Sequence, residues 1–132
     1  MKEIKAYVRR DQVNALVEEL RGAGAPGISV IEIHPVGYGY EPSYFEPHVA
    51  GLVQRYRYLA VAKLEIICAD YQLDQLVGVI HAHCRTGTSG DGMIFVSEIT
   101  DVLRIRDGER GEEALRQSVR EGREVPRQAA VT

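Results

Sequence analysis

The chain has only two cysteines in 132 residues, Cys68 and Cys84. So few exclude a disulfide framework and leave both as small apolar side chains suited to a reducing compartment. Long hydrophobic runs are missing too. The richest segment, Tyr58 to Ala69, is broken by Lys63 and Glu65 and is too short and too charged to span a bilayer. The opening MKEIKAYVRR alternates charged and apolar residues and lacks the apolar stretch of a secretory leader. Neither charge is in large excess. Lys and Arg number 16 against 19 Asp and Glu, a net charge of -3 that offers no global attraction to nucleic acid or anionic lipid. The expectation is a cytoplasmic chain that is not a membrane protein and has no nucleic acid partner, with any anion site built locally.

What is present suffices for one compact core, at 45% hydrophobic and 27% charged residues. Residues 2–9 alternate, with Ile4, Ala6 and Val8 on one face and Lys5 and Tyr7 on the other, as in a half-buried strand. Asp11 is placed as an N-cap, and Val13, Leu16, Val17 and Leu20 follow at helical spacing until Gly22 and Gly24. Ile28, Val30 and Glu32 begin a second strand that stops near Pro35. A connection of about 20 residues, 36–57, then shows no period, and loops of that length inside compact domains usually have a use. A third strand (58–68), a helix opened by Asp70 with Leu73, Leu76, Val77 and Ile80 on one stripe, and strands at 93–96 and 102–105 complete the pattern. The order is that of an α+β, ferredoxin-like βαββαβ fold. Residues 1–111 form the domain, and 112–132 form a charged tail, partly disordered or ordered by a ligand.

Chemistry concentrates in two places. Ser89-Gly90-Asp91-Gly92 is a glycine elbow whose backbone can approach a ligand and present N–H groups to an anion. Arg104 and Arg106 stand two apart, so on a strand their guanidinium forks face one way and suit a diphosphate. Spacing alone leaves open a plain glycine turn beside two solvated arginines.

Gly90-Asp91-Gly92-Met93-Ile94-Phe95-Val96, followed by Arg104-Ile105-Arg106-Asp107-Gly108-Glu109-Arg110-Gly111, resembles the signature of the P-II signal-transduction family. Met1 to Ala6, Gly24 to Val30 and Lys63 to Ile67 also match in order, so the resemblance covers roughly residues 1–37 and 58–111. It implies a homotrimer with adenine nucleotide held in clefts between subunits. Arg104 and Arg106 would grip phosphates, and Gly90, Asp91 and Gly92 would form the anion elbow. Ser29, Glu65 and Ile67 would surround adenine and ribose, Tyr7 would line the base pocket, and Gly37 would begin the mobile T-loop at about 37–57. That loop carries Tyr38, Tyr40, Tyr44, Phe45 and Tyr56, aromatic anchors for an unknown target protein, a transporter or an enzyme.

The departures are informative. Met93 stands where the family has a lysine after Gly-Asp-Gly, and Val61 replaces another lysine ahead of the third-strand motif. Pro35-Val36-Gly37-Tyr38-Gly39 lacks the arginine and glutamine of the family's loop start. Each charge-assisted hydrogen bond is worth roughly 1.5–3 kcal/mol, so two lost cations weaken a triphosphate on the order of a hundredfold to ten-thousandfold. ADP or AMP is therefore the expected ligand over ATP, without the usual 2-oxoglutarate response. Some divergent relatives serve inorganic-carbon metabolism, which makes bicarbonate a candidate second ligand.

No residue set pairs a nucleophile with its base, so an enzyme is not expected. His81, His83 and Cys84 invite a metal reading, but helical residues two apart point in different directions. Neither a metal nor another cofactor is expected. A trimeric metal-handling protein of similar build is the alternative.

Overall fold

The structure, a computed structural model, describes residues 1–45 and 55–116, and of 43–45 and 55–57 the backbone alone. Strand β1 (Lys2–Arg9) leads through a short 3-10 turn into helix α1 (Val13–Gly22), then β2 (Ser29–Ile33). Short strands β3 (Ser43–Phe45) and β4 (Arg55–Arg57) pair as a separate ribbon, with Tyr44 opposite Tyr56. Strand β5 (Val61–Cys68), helix α2 (Leu73–Cys84) and β6 (Met93–Glu98) follow. The main sheet is antiparallel in the order β2-β5-β1-β6, the arrangement expected of a ferredoxin-like α+β fold.

The alternation in β1 dictates the core. Ile4, Ala6 and Val8 point to the helical side, where they meet Leu64 and Ile66 of β5, Leu16 and Leu20 of α1, and Leu76 and Ile80 of α2. Each such burial contributes about 1.5–3 kcal/mol. The opposite face of the sheet carries Lys5, Tyr7, Lys63, Glu65, Met93 and Phe95, which the strand register brings side by side. Among the described residues no helix is long and apolar enough to cross a membrane.

Three local expectations need correction. Asp11 and Asp70 do not cap α1 and α2 directly, because a 3-10 turn precedes each helix. At the second, Gln72 takes over: its Oε1 accepts from the Ala69 N–H at 3.1 Å and its Nε2 donates to the Gly24 carbonyl at 2.9 Å. Asp70 instead binds the N-terminal ammonium at 2.9 Å. The third strand starts at Val61, three residues later than its apolar composition implies.

The third correction bears on the site. Residues 102–105 form no ladder strand. Leu103 makes an isolated bridge to Arg110, and the chain reverses between them. The Arg104 N–H donates to the Glu109 carbonyl and the Gly108 N–H to the Arg104 carbonyl, both at 2.8 Å. Gly108 has φ +75°, a conformation that side-chain-bearing residues rarely adopt.

Candidate nucleotide site

The glycine elbow is built around Asp91. Its carboxylate accepts from the backbone N–H groups of Thr86 and Gly87, both at 2.8 Å, and from the Thr86 hydroxyl. Arg9 adds a charge-assisted bond, Nη1 to Oδ1 at 3.1 Å. These donors, the Thr86 hydroxyl foremost, hold the Asp91 carboxyl well below the usual carboxylate range. Asp91 thus fixes the loop. Sequence reasoning missed Thr86 and Arg9. The signal for Arg9 was present, since the alternation that exposes Lys5 and Tyr7 also exposes Arg9 on the same face.

Gly92 is there because nothing larger fits. With φ +110°, a Cβ on it would lie 1.8 Å from the Tyr7 carbonyl oxygen and 2.6 Å from the Tyr40 hydroxyl. Tyr40 itself is buried, and its hydroxyl donates to that same carbonyl at 3.1 Å. Burial pushes the Tyr40 phenol up from its ordinary value. The expectation that Tyr40 is displayed to a partner is therefore corrected: in this conformation it is an internal post.

Tyr40 reaches that position through a two-residue hairpin. Gly37 and Tyr40 exchange hydrogen bonds of 3.0 and 2.9 Å, and Tyr38 and Gly39 both have positive φ, +55° and +87°, as a type I′ turn requires. Tyr38 is the only residue with a side chain held in this region among the described residues. Its ring, more than half exposed, meets Tyr7 and Phe95 edge-on with centroids 5.9 and 5.5 Å apart. Gly39 presses on the elbow, and a Cβ there would come within 3.0 Å of the Gly90 nitrogen. Tyr7, Gly87, Asp91, Gly92 and Met93 border a cavity of about 410 Å³ at this end of the sheet, with His81 and Cys84 of α2 behind it.

A second cluster lies elsewhere. Ser29 and Glu65 are register partners, and with Glu3, Ile67 and Leu115 they line an open pocket of about 450 Å³. Arg104 is adjacent in the chain's hydrogen-bond network, donating from Nη1 to the Ala114 carbonyl at 3.1 Å. It also forks onto Asp107, Nε to Oδ1 at 3.0 Å and Nη2 to Oδ2 at 2.7 Å. Arg106 reaches the same carboxylate at 3.4 Å, and Arg104 foremost holds Asp107 well below the usual carboxylate range. The two guanidinium groups are therefore not parallel forks on a strand. They converge on Asp107 from a turn, with Arg104 mostly buried and Arg106 open to solvent.

The register sets the two clusters apart along the sheet. The elbow joins the sheet where Tyr7 pairs with Met93, and the chain leaves β6 at the other end, where the Ile99 N–H donates to the Met1 carbonyl. Leu115 lines the pocket beside Glu3, four residues from Tyr7 along β1, a separation of roughly 13 Å at about 3.3 Å per residue. So Gly37, Tyr7, Gly90, Asp91 and Gly92 gather where β6 begins, Ser29 and Glu65 sit at mid-sheet level with Lys5, and Ile67 and the Arg104–Arg106 turn lie toward the end where β6 leaves.

Val61, at a position of interest for charge, is fully buried, and Met93 is partly exposed. Tyr44, Phe45 and Tyr56 lie on β3 and β4, with side chains outside the described residues, as are His48 and residues 117–132. His83 Nδ1 lies 3.2 Å from Glu19 Oε1, and among the described residues no group of three His, Cys, Asp or Glu is placed to hold a metal.

The family model of Nitrogen regulatory protein P-II matches residues 1–109. The Nitrogen regulatory protein P-II of Cereibacter sphaeroides is 34% identical over 115 residues, which span 87% of this chain and 100% of the relative. That of Nostoc punctiforme is 36% identical over the same share of each chain. In structure, the B. subtilis GlnK–ATP complex aligns with a TM-score of 0.66 at 26% identity, over 86% of this chain and 94% of that one. The chain belongs to the P-II family.

Proposed function

We propose that the protein is a non-enzymatic P-II-type regulator, a cytoplasmic homotrimer that binds ADP or AMP in clefts between subunits and signals through its T-loop. The observation that carries this reading is the separation of the glycine elbow from the Arg104–Arg106 turn along one sheet. A ligand contacting both the glycine elbow and the Arg104–Arg106 turn needs one half from each of two chains. A ring of identical chains satisfies that requirement, since a head-to-tail contact closes into a ring. The helix-free sheet face, with Ile31, Met93 and Phe95 each more than a third exposed, is the surface available for such contact.

The preference for ADP or AMP follows from charge. Met93 and the buried Val61 offer no cation where relatives with both lysines would meet an outer phosphate. Gly39, packed against Gly90, offers no side chain to hold a 2-oxoglutarate complex at the loop start. The nucleotide would bias the Gly37–Tyr40 hairpin, and with it the loop that follows, toward one of two arrangements that a target protein distinguishes. Bicarbonate is proposed as the second ligand, recognised beside bound nucleotide.

Calorimetric titration with ADP, AMP and magnesium-ATP tests this, with Arg104→Ala and Arg106→Ala in parallel and light scattering for the oligomer. The expected result is a trimer that binds ADP or AMP and loses tenfold or more in affinity in either variant. Tight magnesium-ATP binding strengthened by 2-oxoglutarate would overturn the ligand assignment. Thermal shift with ADP, with and without bicarbonate, reads the second ligand: no joint stabilisation removes it.

A further inference from the structure

The elbow half of the site has glycines but, at Met93 and Val61, no charge. Arg9 is the last residue of β1 and the register partner of Val61 on β5. Its side chain is about one third exposed, at 35%. The guanidinium runs along the elbow, with Nη1 on Asp91 at 3.1 Å and Nη2 on the Ser89 carbonyl at 3.3 Å. It also backs directly onto Gly90, where any Cβ would lie 3.0 Å from Nη2. On its other side it borders an open cleft of about 260 Å³ shared with Tyr40 and Val61.

Two features make this more than a strut. A guanidinium has five N–H donors, and these contacts occupy only part of the fork. Asp91, for its part, accepts from two backbone N–H groups and the Thr86 hydroxyl as well, so Arg9 is one of several donors on it. The guanidinium thus keeps donors to spare, and it sits against the glycine whose backbone would touch a phosphate.

We infer that Arg9 is a phosphate-binding residue of this site: it holds the elbow with part of its fork and presents the remainder to the inner phosphates of ADP. It thereby gives the elbow a cation for the inner phosphates. The inference rests on the nucleotide reading above.

The test compares three variants of the full-length protein, Arg9→Gln, Arg9→Lys and Asp91→Asn, with Arg104→Ala as reference, by ADP calorimetry across a salt series. A phosphate contact predicts a split between affinity and salt dependence. Arg9→Gln loses about tenfold to a hundredfold in ADP affinity and flattens the salt dependence, while Arg9→Lys recovers part of the loss. Asp91→Asn, which loosens the elbow and keeps the cation, weakens ADP without flattening the salt dependence. If Arg9→Gln weakens ADP but keeps the parent's salt dependence, as Asp91→Asn does, Arg9 only positions the elbow and the inference is overturned. If Arg104→Ala weakens ADP and Arg9→Gln does not, the inference fails and the site stands. If neither Arg9→Gln nor Arg104→Ala changes ADP affinity, the nucleotide reading falls and takes the inference with it.

Discussion

Gly92→Ala should be the most damaging single-methyl change near the site, and the geometry sets the size of the effect. Two costs add. The backbone there has φ +110°, and a residue with a Cβ held in such a region costs about 1–3 kcal/mol. The new methyl would also sit 1.8 Å from the Tyr7 carbonyl oxygen and 2.6 Å from the Tyr40 hydroxyl, far inside contact distance. Neither atom can yield cheaply. The carbonyl belongs to β1, and the hydroxyl is the donor to it, from a side chain that is buried. Overpacking of this kind typically costs about 1–3 kcal/mol, for a total of roughly 2–6 kcal/mol against a usual stability of about 5–15 kcal/mol. Gly87→Ala is the matched control, because Gly87 has φ +86° but nothing within 4 Å of a Cβ. Urea denaturation of both variants at one fixed protein concentration separates strain from collision, since any association would otherwise shift the midpoint. Gly92→Ala must lose clearly more than Gly87→Ala. Equal losses would refute the claim that contact with Tyr7 and Tyr40 dictates glycine at 92.

Two further outcomes follow from the titrating groups. Asp91 is held below its ordinary value by the Thr86 hydroxyl and its other donors, so between the unfolded value of about 3.9 and the lower folded one the unfolded chain binds more protons. Stability from this group is fully present above about pH 5 and falls as pH drops through the folded value; Asp91→Asn should flatten that acid limb, and an unchanged limb in urea melts from pH 5 to 2 would contradict it. At the alkaline side, burial pushes the Cys84 thiol up to about 11 and raises Cys68 as well. An aromatic disulfide reagent at pH 8 should therefore label both only after denaturation, and rapid native labelling of one thiol would count against the burial described.

Local periodicity carried most of the fold. The alternation from Lys2 to Arg9 is legible because a strand's faces repeat every two residues, and the α2 stripe of Leu73, Leu76 and Ile80 because a helix repeats near four. Where short polar side chains settle was less legible. Asp70 was free to cap a helix or to bind the ammonium of Met1, and only the folded sheet places that ammonium within 2.9 Å. The apolar alternation around Leu103 and Ile105 likewise reads as a strand, yet the Gly108 reversal and the bridge to Arg110 make it a turn, with Ile105 almost fully exposed.

Local pattern yields the order of the main-sheet strands and the two helices and most of the core, because each depends on neighbours within one turn or one strand. How the polar residues combine depends on contacts far apart in the chain. Tyr40 meets Tyr7 across 33 positions and Arg9 meets Asp91 across 82, so no local pattern announces either contact. The same holds for the separation of the glycine elbow from Arg104 and Arg106. Ten residues lie between Asp91 and Val102 along the chain, but β6 runs six of them along the sheet, and that run sets the glycine elbow apart from the arginine turn.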